Sequence, residues 1–449
     1  MMKTLQYILV ISALLLSCDP LDVEPYTLIP ADQAITDSKG LEAAVNGVYD
    51  GLQSGSISQE YVIFGDMLAD NMVAVGSRIE YRQASDNRIN PNNIAVEGIW
   101  NAHYDVINRV NNILPNLPNV TGISQQEIDQ FRGQILFVRA LCYFNLVRAF
   151  GPVPVKTEPT LGISASEIDL PREAIDTVYD QIVADLENAA EELSGTGAGN
   201  AALASEGAVL SLLAKVHLYR GDYDQAVLFA TAVEALGYEL VEGVNYASLF
   251  DEPSDNGEAI FVIDFTDDDV NGLADFTQPA ARFEVAVTES AYDIFTVSDF
   301  RAEIAAPATS AVPYTNKYTS IGTDSDHPII LRYADVLLTK AEALNEQGYV
   351  ADGEAFDLLN AVRTRAGLFS YSSTDLPNQQ SFRLALEEER RKEFLGEGHR
   401  WFDLIRTGRA LNVLSQEKDI DSPNQLLLPI PQSELDTNSN DNMTQNDGY

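Results

Sequence analysis

Residues 204–236 read ASEGAVLSLLAKVHLYRGDYDQAVLFATAVEAL. Two runs with apolar residues every three or four positions flank Gly221-Asp222-Tyr223, so the stretch predicts two helices joined by a tight turn. Gly221 fits position 15 of a tetratricopeptide unit of about 34 residues. Leu210, Leu213, Ala214, Tyr223 and Ala226 then fall on packing positions 4, 7, 8, 17 and 20. A second unit follows, with helices predicted over Tyr333–Leu344 and Glu354–Arg365 around Gln347-Gly348-Tyr349. Taking Gly348 as position 15 places Leu337 and Ala341 on positions 4 and 8.

Toward the N-terminus the rhythm continues with poorer consensus. Helices are predicted over Ser38–Leu52, over Ile99–Leu114 up to Pro115 and Pro118, from Ser124 to Gly151-Pro152, and over Arg172–Leu193. Ser124 and Glu127 have the spacing of a capping box. The expected fold is mainly α: four helix pairs forming a modified tetratricopeptide scaffold over residues 31–449, with few short strands, one at Ile260–Ile263. A loop-rich insert spans about 245–328, a C-terminal segment spans 380–449, and Gly65–Gly98 reads as polar and irregular. Loop-rich stretches on a rigid scaffold are where binding residues concentrate.

The first 17 residues have the pattern of a lipoprotein signal peptide. Lys3 precedes an apolar run, Tyr7–Leu16, too short to span a bilayer. Leu15-Leu16-Ser17-Cys18 has the form of a lipoprotein cleavage site, which makes Cys18 the expected acylated residue. Residues 18–30 read as a proline-containing tether. Cys142 is the other cysteine and has no partner for an internal disulfide. With 68 Asp and Glu against 28 Lys and Arg, the formal net charge is -40. That charge repels phosphate backbones and argues against nucleic acid as a partner.

Several stretches, in order along the chain, resemble the RagB/SusD family of Bacteroidetes outer-membrane lipoproteins. They are RALCYFNLV at 139–147 with FGPVP at 150–154, LRYADV at 331–336 with KAEA at 340–343, and LNAVR at 359–363 with RAG at 365–367. EERRKEF at 388–394 and EGHRWFDLIR at 397–406 follow, then LPIP at 428–431 and QNDGY at 445–449. The resemblance implies four tetratricopeptide-like pairs and a lipid anchor at the cell surface. It implies capture of oligosaccharide for a SusC-like TonB-dependent transporter, without catalysis and without a cofactor. Some members of the family are thought to capture peptides instead. A surface glycosidase or lyase is the alternative outside the family.

The residues themselves offer little catalytic pattern. His103, His217, His327 and His399 lack metal-ligand spacing, and no phosphate loop, nucleophile elbow or Cys-x-x-Cys occurs. The charged run Glu387–Arg409 reads as a helical ion-pair network, with Glu387–Arg391 and Glu388–Lys392 one turn apart. Asp267, Asp269, Asn271 and Asp275 have the spacing of a calcium loop, although Gln278 stands where the bidentate Glu belongs. Sugar capture needs aromatic faces beside hydrogen-bonding groups. The candidates are Asp66, Asn71, Tyr81, Arg82 and Trp100 around the first irregular region, and Phe276, Arg282, Phe283, Tyr314 and Lys317 from the insert. Arg78, Arg82 and Arg88 stand close together and would suit uronate or sulfate if they converge, or neutralise Glu80 and Asp86.

Overall fold

Helix α1 (Ser38–Leu52) packs on α2 (Ile94–Ile113), α3 (Gln125–Phe150) on α4 (Ile175–Glu192), α5 (Glu206–Arg220) on α6 (Tyr223–Glu234) and α7 (Tyr333–Gln347) on α8 (Glu354–Arg365). These are the four expected pairs, and α2 against α3, α4 against α5 and α6 against α7 join them in series. The computed structural model describes residues 31–449 apart from 163, 252, 254–255, 267–268, 270, 306, 308–311, 323–325, 416, 419 and 421. The leader, Cys18 and the tether lie outside the described residues.

Helix α3 runs through the middle of the scaffold and is buried on nearly every side from Ile135 to Val147. The guanidinium of Arg139, at its centre, is satisfied. Arg139 donates to Asp185 of α4 at 2.8 and 2.6 Å and to Asn111 of α2 at 2.8 Å. The expected capping box starts this helix: Ser124 Oγ accepts from the Glu127 amide, and Glu127 accepts from the Ser124 amide at 3.0 Å. Ser124→Ala is expected to lower stability by about 1 kcal/mol in urea unfolding, because it leaves orphan amides at an exposed helix start.

The stretch from Gly65 to Gly98 is more ordered than its polarity predicts. Residues Val62–Met67 and Ile79–Ser85 are helical. Helix α2 begins at Ile94 rather than Ile99 because Asn93 caps it, accepting from the Ala95 and Val96 amides at 3.1 and 3.2 Å. Between the two short helices lies β1 (Met72–Ala74). The expected strand at 260–263 is found as β2 (Ala259–Val262), shifted by one residue. Two further strands, β3 (Val285–Val287) and β4 (Ile329–Arg332), were not predicted. The pairings β1–β3 and β2–β4 are antiparallel, with Met72 opposite Val287 and Ala259 opposite Arg332.

The C-terminal segment carries α9 (Gln379–Glu393) and α10 (Arg400–Arg406). Its charges brace the fold, but not all as the helical spacing predicts. Glu388 and Lys392 pair at 2.5 Å as expected. Glu387 instead reaches Arg400 and Arg409, because Arg391 faces the first irregular region and holds Asp70 at 3.1 Å. Deeper in, Arg332 meets Glu258, Glu393 and Glu397, and Arg301 meets Asp299, Glu389 and Glu393, with all these side chains at most 2% exposed. This network ties the insert and β4 to α9. Gly65 approaches Gly398 so closely that a Cβ on it would lie 2.2 Å from the Gly398 carbonyl oxygen. Trp401 is buried in the core.

Candidate functional site

The β1–β3 ladder is where the two loop-rich stretches meet. It is extended past Ala74 by the Val75 and Gly76 amides, which both donate to the Glu284 carbonyl at 2.9 and 3.1 Å. At this end the helix Ile79–Ser85 supplies Arg82, and the turn after the helix Leu273–Thr277 supplies Arg282 and Phe283. Arg82 donates to the Gly76 carbonyl at 2.9 and 2.7 Å and remains exposed. The half-exposed Arg282 lies 4.9 Å from the Phe276 ring centroid and 3.3 Å from the Glu284 carboxylate. Arg78 packs over Tyr81 at 4.7 Å and over Phe276 at 5.2 Å. Glu60 and Glu80 hold its charge. Phe283 has φ +47°, a strained backbone for a bulky side chain. Its amide donates to the Asp275 carbonyl at 3.0 Å, which fixes the turn that presents Arg282.

At the other end of the ladder a polar cleft of about 550 Å³ opens beside Met72 and Val73. Ser85, Asp86 and Arg88 line it from one side, Thr288 from just after β3, and Ser415, Glu417 and Lys418 from the segment after Ala410–Leu414. Burial lowers the Lys418 amine to about 8 against the opposing pull of Asp70, Asp86 and Glu417. Its ammonium also donates to the Met67 carbonyl. From Thr288 to Glu284 the ladder measures ~13 Å, at about 3.3 Å per residue.

The structure divides the expected ligand residues. Arg82, Arg282 and Phe283 come together at one end of the ladder. Tyr314 is half-buried next to Pro313, whose carbonyl accepts from Val287 of β3 at 2.9 Å. Tyr81 and Phe276 lie beneath this face as its packed support, with ring centroids 5.6 Å apart. Asp66, Asn71 and Lys317, also expected at a ligand site, use their polar atoms inside the protein. Asp66 accepts from Asn71 at 2.6 Å and from the Gly396 and Gly398 amides at 3.1 and 2.7 Å. Its burial raises the carboxyl to about 6, with these donors opposing. Lys317 is paired with Glu397 at 2.6 Å. Trp100 is 2% exposed and lies away from the ladder, against Tyr104 and Phe150.

Ser415, Glu417, Lys418 and Thr288 were not among the expected residues. They belong to no aromatic or basic cluster in sequence; Glu417 accepts from Ser290 at 3.1 Å and Lys418 donates to the Met67 carbonyl, and these tertiary contacts set the segment beside Thr288. Of the calcium candidates, Asp267 lies outside the described residues. Asp269 accepts from Thr266 at 3.2 Å, Asn271 Oδ1 accepts from the Leu273 amide at 2.8 Å, and Asp275 is in the first turn of the helix Leu273–Thr277. Among the described residues no three His, Cys, Asp or Glu side chains gather in a way that would hold a metal ion.

A scaffold of four helix pairs, with a loop-rich insert paired to an early strand and bolted to a charged C-terminal helix, is the architecture of one known family of helical-repeat proteins. The family model described as "SusD family" matches residues 308–449, and one described as "Starch-binding associating with outer membrane" matches 19–218. The chain belongs to the SusD/RagB family. It is 27% identical to SusD-like protein P2 of Formosa agariphila, over 97% of each chain. A laminarin-binding SusD-like protein of known structure is 27% identical and superposes with a TM-score of 0.78, covering 92% of this chain and all of the other. A SusD superfamily protein from Bacteroides vulgatus, 22% identical, shares the fold with a TM-score of 0.81, covering 92% of this chain and 99% of that one.

Proposed function

We propose that this chain is a surface lipoprotein that binds a glycan strand along the β1–β3 ladder and passes it, uncleaved, to a SusC-like TonB-dependent transporter. The observation that carries the binding step is the ladder itself. It joins the first irregular region to the insert, with arginine arms at one end and a polar cleft at the other. Sugar hydroxyls would meet Arg82, Arg282, Lys418 and the cleft hydroxyls, with Phe283 and Tyr314 supplying aromatic surface. The laminarin-binding relative supports a carbohydrate as the ligand. Transfer to a transporter and acylation of Cys18 rest on the family resemblance and the leader pattern. The mechanism is capture and release, driven by differences in affinity rather than by bond making.

Titration calorimetry of the chain from Asp19 onward, against laminarin, other neutral glycans, uronic-acid polysaccharides and peptides, tests this reading. Each mixture is checked for cleavage products. Binding of a glycan without products is expected. Cleavage, or binding of peptides alone, would contradict it. Because the Lys418 amine titrates near pH 8, its ammonium donates below that pH and is lost above it. Affinity is therefore expected to fall by roughly tenfold as the pH rises through 8, on the basis of about 1.5 kcal/mol for a charged hydrogen bond. Lys418→Met should flatten the profile.

A further inference from the structure

A second cleft opens where α2 meets the loop following α3 and the C-terminal segment. Its volume is about 390 Å³. The half-buried ring of Tyr104 faces it, with Trp100 and Pro154 buried beneath, and Asn101, Thr160 and Thr437 stand on its rim. The two aromatic rings lie 5.0 Å apart at 46°. The walls are already pinned. The Tyr104 hydroxyl donates to the Pro154 carbonyl at 2.7 Å, and Asn438 donates to the Leu170 carbonyl at 3.0 Å. Asp169 accepts from the Ser439 amide at 3.0 Å, so the C-terminal segment and the loop are joined at a second point. A preformed cleft binds without an ordering cost.

The chemistry of the lining is narrow. The Tyr104 ring, braced from below by Trp100, and the exposed Ile168 offer apolar surface to one face of a pyranose, and amide and hydroxyl groups on the rim match its edge. The rim cation, Lys156, is spent on Thr160 Oγ1 and the Glu167 carbonyl. Glu434 accepts from Asn438 at 3.1 Å. Asn101 is exposed, and its side chain makes no hydrogen bond to the other described residues. The lining therefore favours an uncharged sugar. The cleft shares no lining residue with the one at the ladder, and the two are linked through the loop before α2. Arg88 lines the first, the Gln432 amide donates to the Pro91 carbonyl at 2.9 Å, and Glu434 lines the second.

We propose that the Trp100–Tyr104 cleft is a second carbohydrate site, taking a neutral sugar unit of a glycan independently of the ladder. The proposal rests on the glycan reading above. The test is titration calorimetry of the chain from Asp19 with laminarihexaose and with other neutral hexasaccharides. Wild type is compared with a ladder variant, Arg82→Ala/Arg282→Ala/Lys418→Met, and with Asn101→Trp, which plugs the cleft from an exposed position. Asn101→Ala serves as a milder second variant. Two sites are expected for wild type. The ladder variant should keep one site, Asn101→Trp should remove that residual binding, and Asn101→Ala should weaken it about tenfold. Loss of all binding in the ladder variant would overturn the second site and leave the glycan reading standing. Residual binding untouched by Asn101→Trp would overturn the location. Failure of wild type to bind any of these glycans would overturn the glycan reading and the second site with it.

Discussion

Arg332→Met is expected to lower the stability of the chain by about 3–5 kcal/mol in urea unfolding, the cost of breaking a buried ion network by removing one partner. Arg332 donates to Glu258 at 2.8 Å, to the Glu393 carboxylate at 2.6 Å and to Glu397 at 2.7 and 2.9 Å. Methionine fills the volume but leaves three desolvated carboxylates with fewer counter-charges. Arg365, Arg301 and Lys317 remain and limit the damage to part of the network. The pH dependence has a definite sign. Burial raises the Glu393 carboxyl, but Arg365, Arg332 and Arg301 outweigh it and hold it well below its usual 4.5. A carboxylate depressed by folding stabilises the protein above its unfolded pKa, and that stability is lost as the pH falls through the folded value. The gap between wild type and Arg332→Met should therefore be widest near neutral pH and close on acidification below 4.5. A gap that stays constant down to pH 3 would show that the loss comes from packing rather than charge.

Gly76→Ala is the largest change expected at the ladder itself. A Cβ there would lie 1.8 Å from Glu284 Oε2 and 2.8 Å from Glu284 Cα. The carboxylate can swing away, but the strand cannot without losing the bonds that its carbonyl accepts from Val75 and Gly76. Overpacking of this kind costs about 1–3 kcal/mol. The same shift moves the carbonyl that docks Arg82 and the carboxylate beside Arg282. Glycan affinity is accordingly expected to fall more than tenfold, read by calorimetry beside a thermal melt. Unchanged affinity with a lowered melting point would separate the ladder from the binding face.

The scaffold could be read from the sequence because each helix pair carries its own periodicity, turn and cap. Ser124 with Glu127, and Gly221 between two apolar runs, are local signals. The ladder was not legible, because strands of three residues such as Met72–Ala74 are too short to show alternation. Arg82, Arg282 and Phe283 stood out as aromatics and cations in irregular stretches, and the pairing of β1 with β3 brings them together. Asp66, Asn71 and Lys317 had the right chemistry for a ligand but serve the C-terminal signature, a contact more than 300 residues away for Asp66. Composition cannot separate a carboxylate spent on buried amides from one offered to a sugar. The cleft residues Thr288 and Lys418 are ordinary in sequence and acquire their place only through tertiary contacts.

The most direct test of the account is calorimetry of Arg82→Ala/Arg282→Ala beside wild type, using the glycan that wild type binds best. Both side chains are surface arms, so the melting point should not change. Affinity at the ladder should fall by about ten- to a hundred-fold, the effect of losing a charged hydrogen bond worth about 1.5–3 kcal/mol. Wild-type affinity in the double variant would contradict the account and move the glycan site away from the ladder.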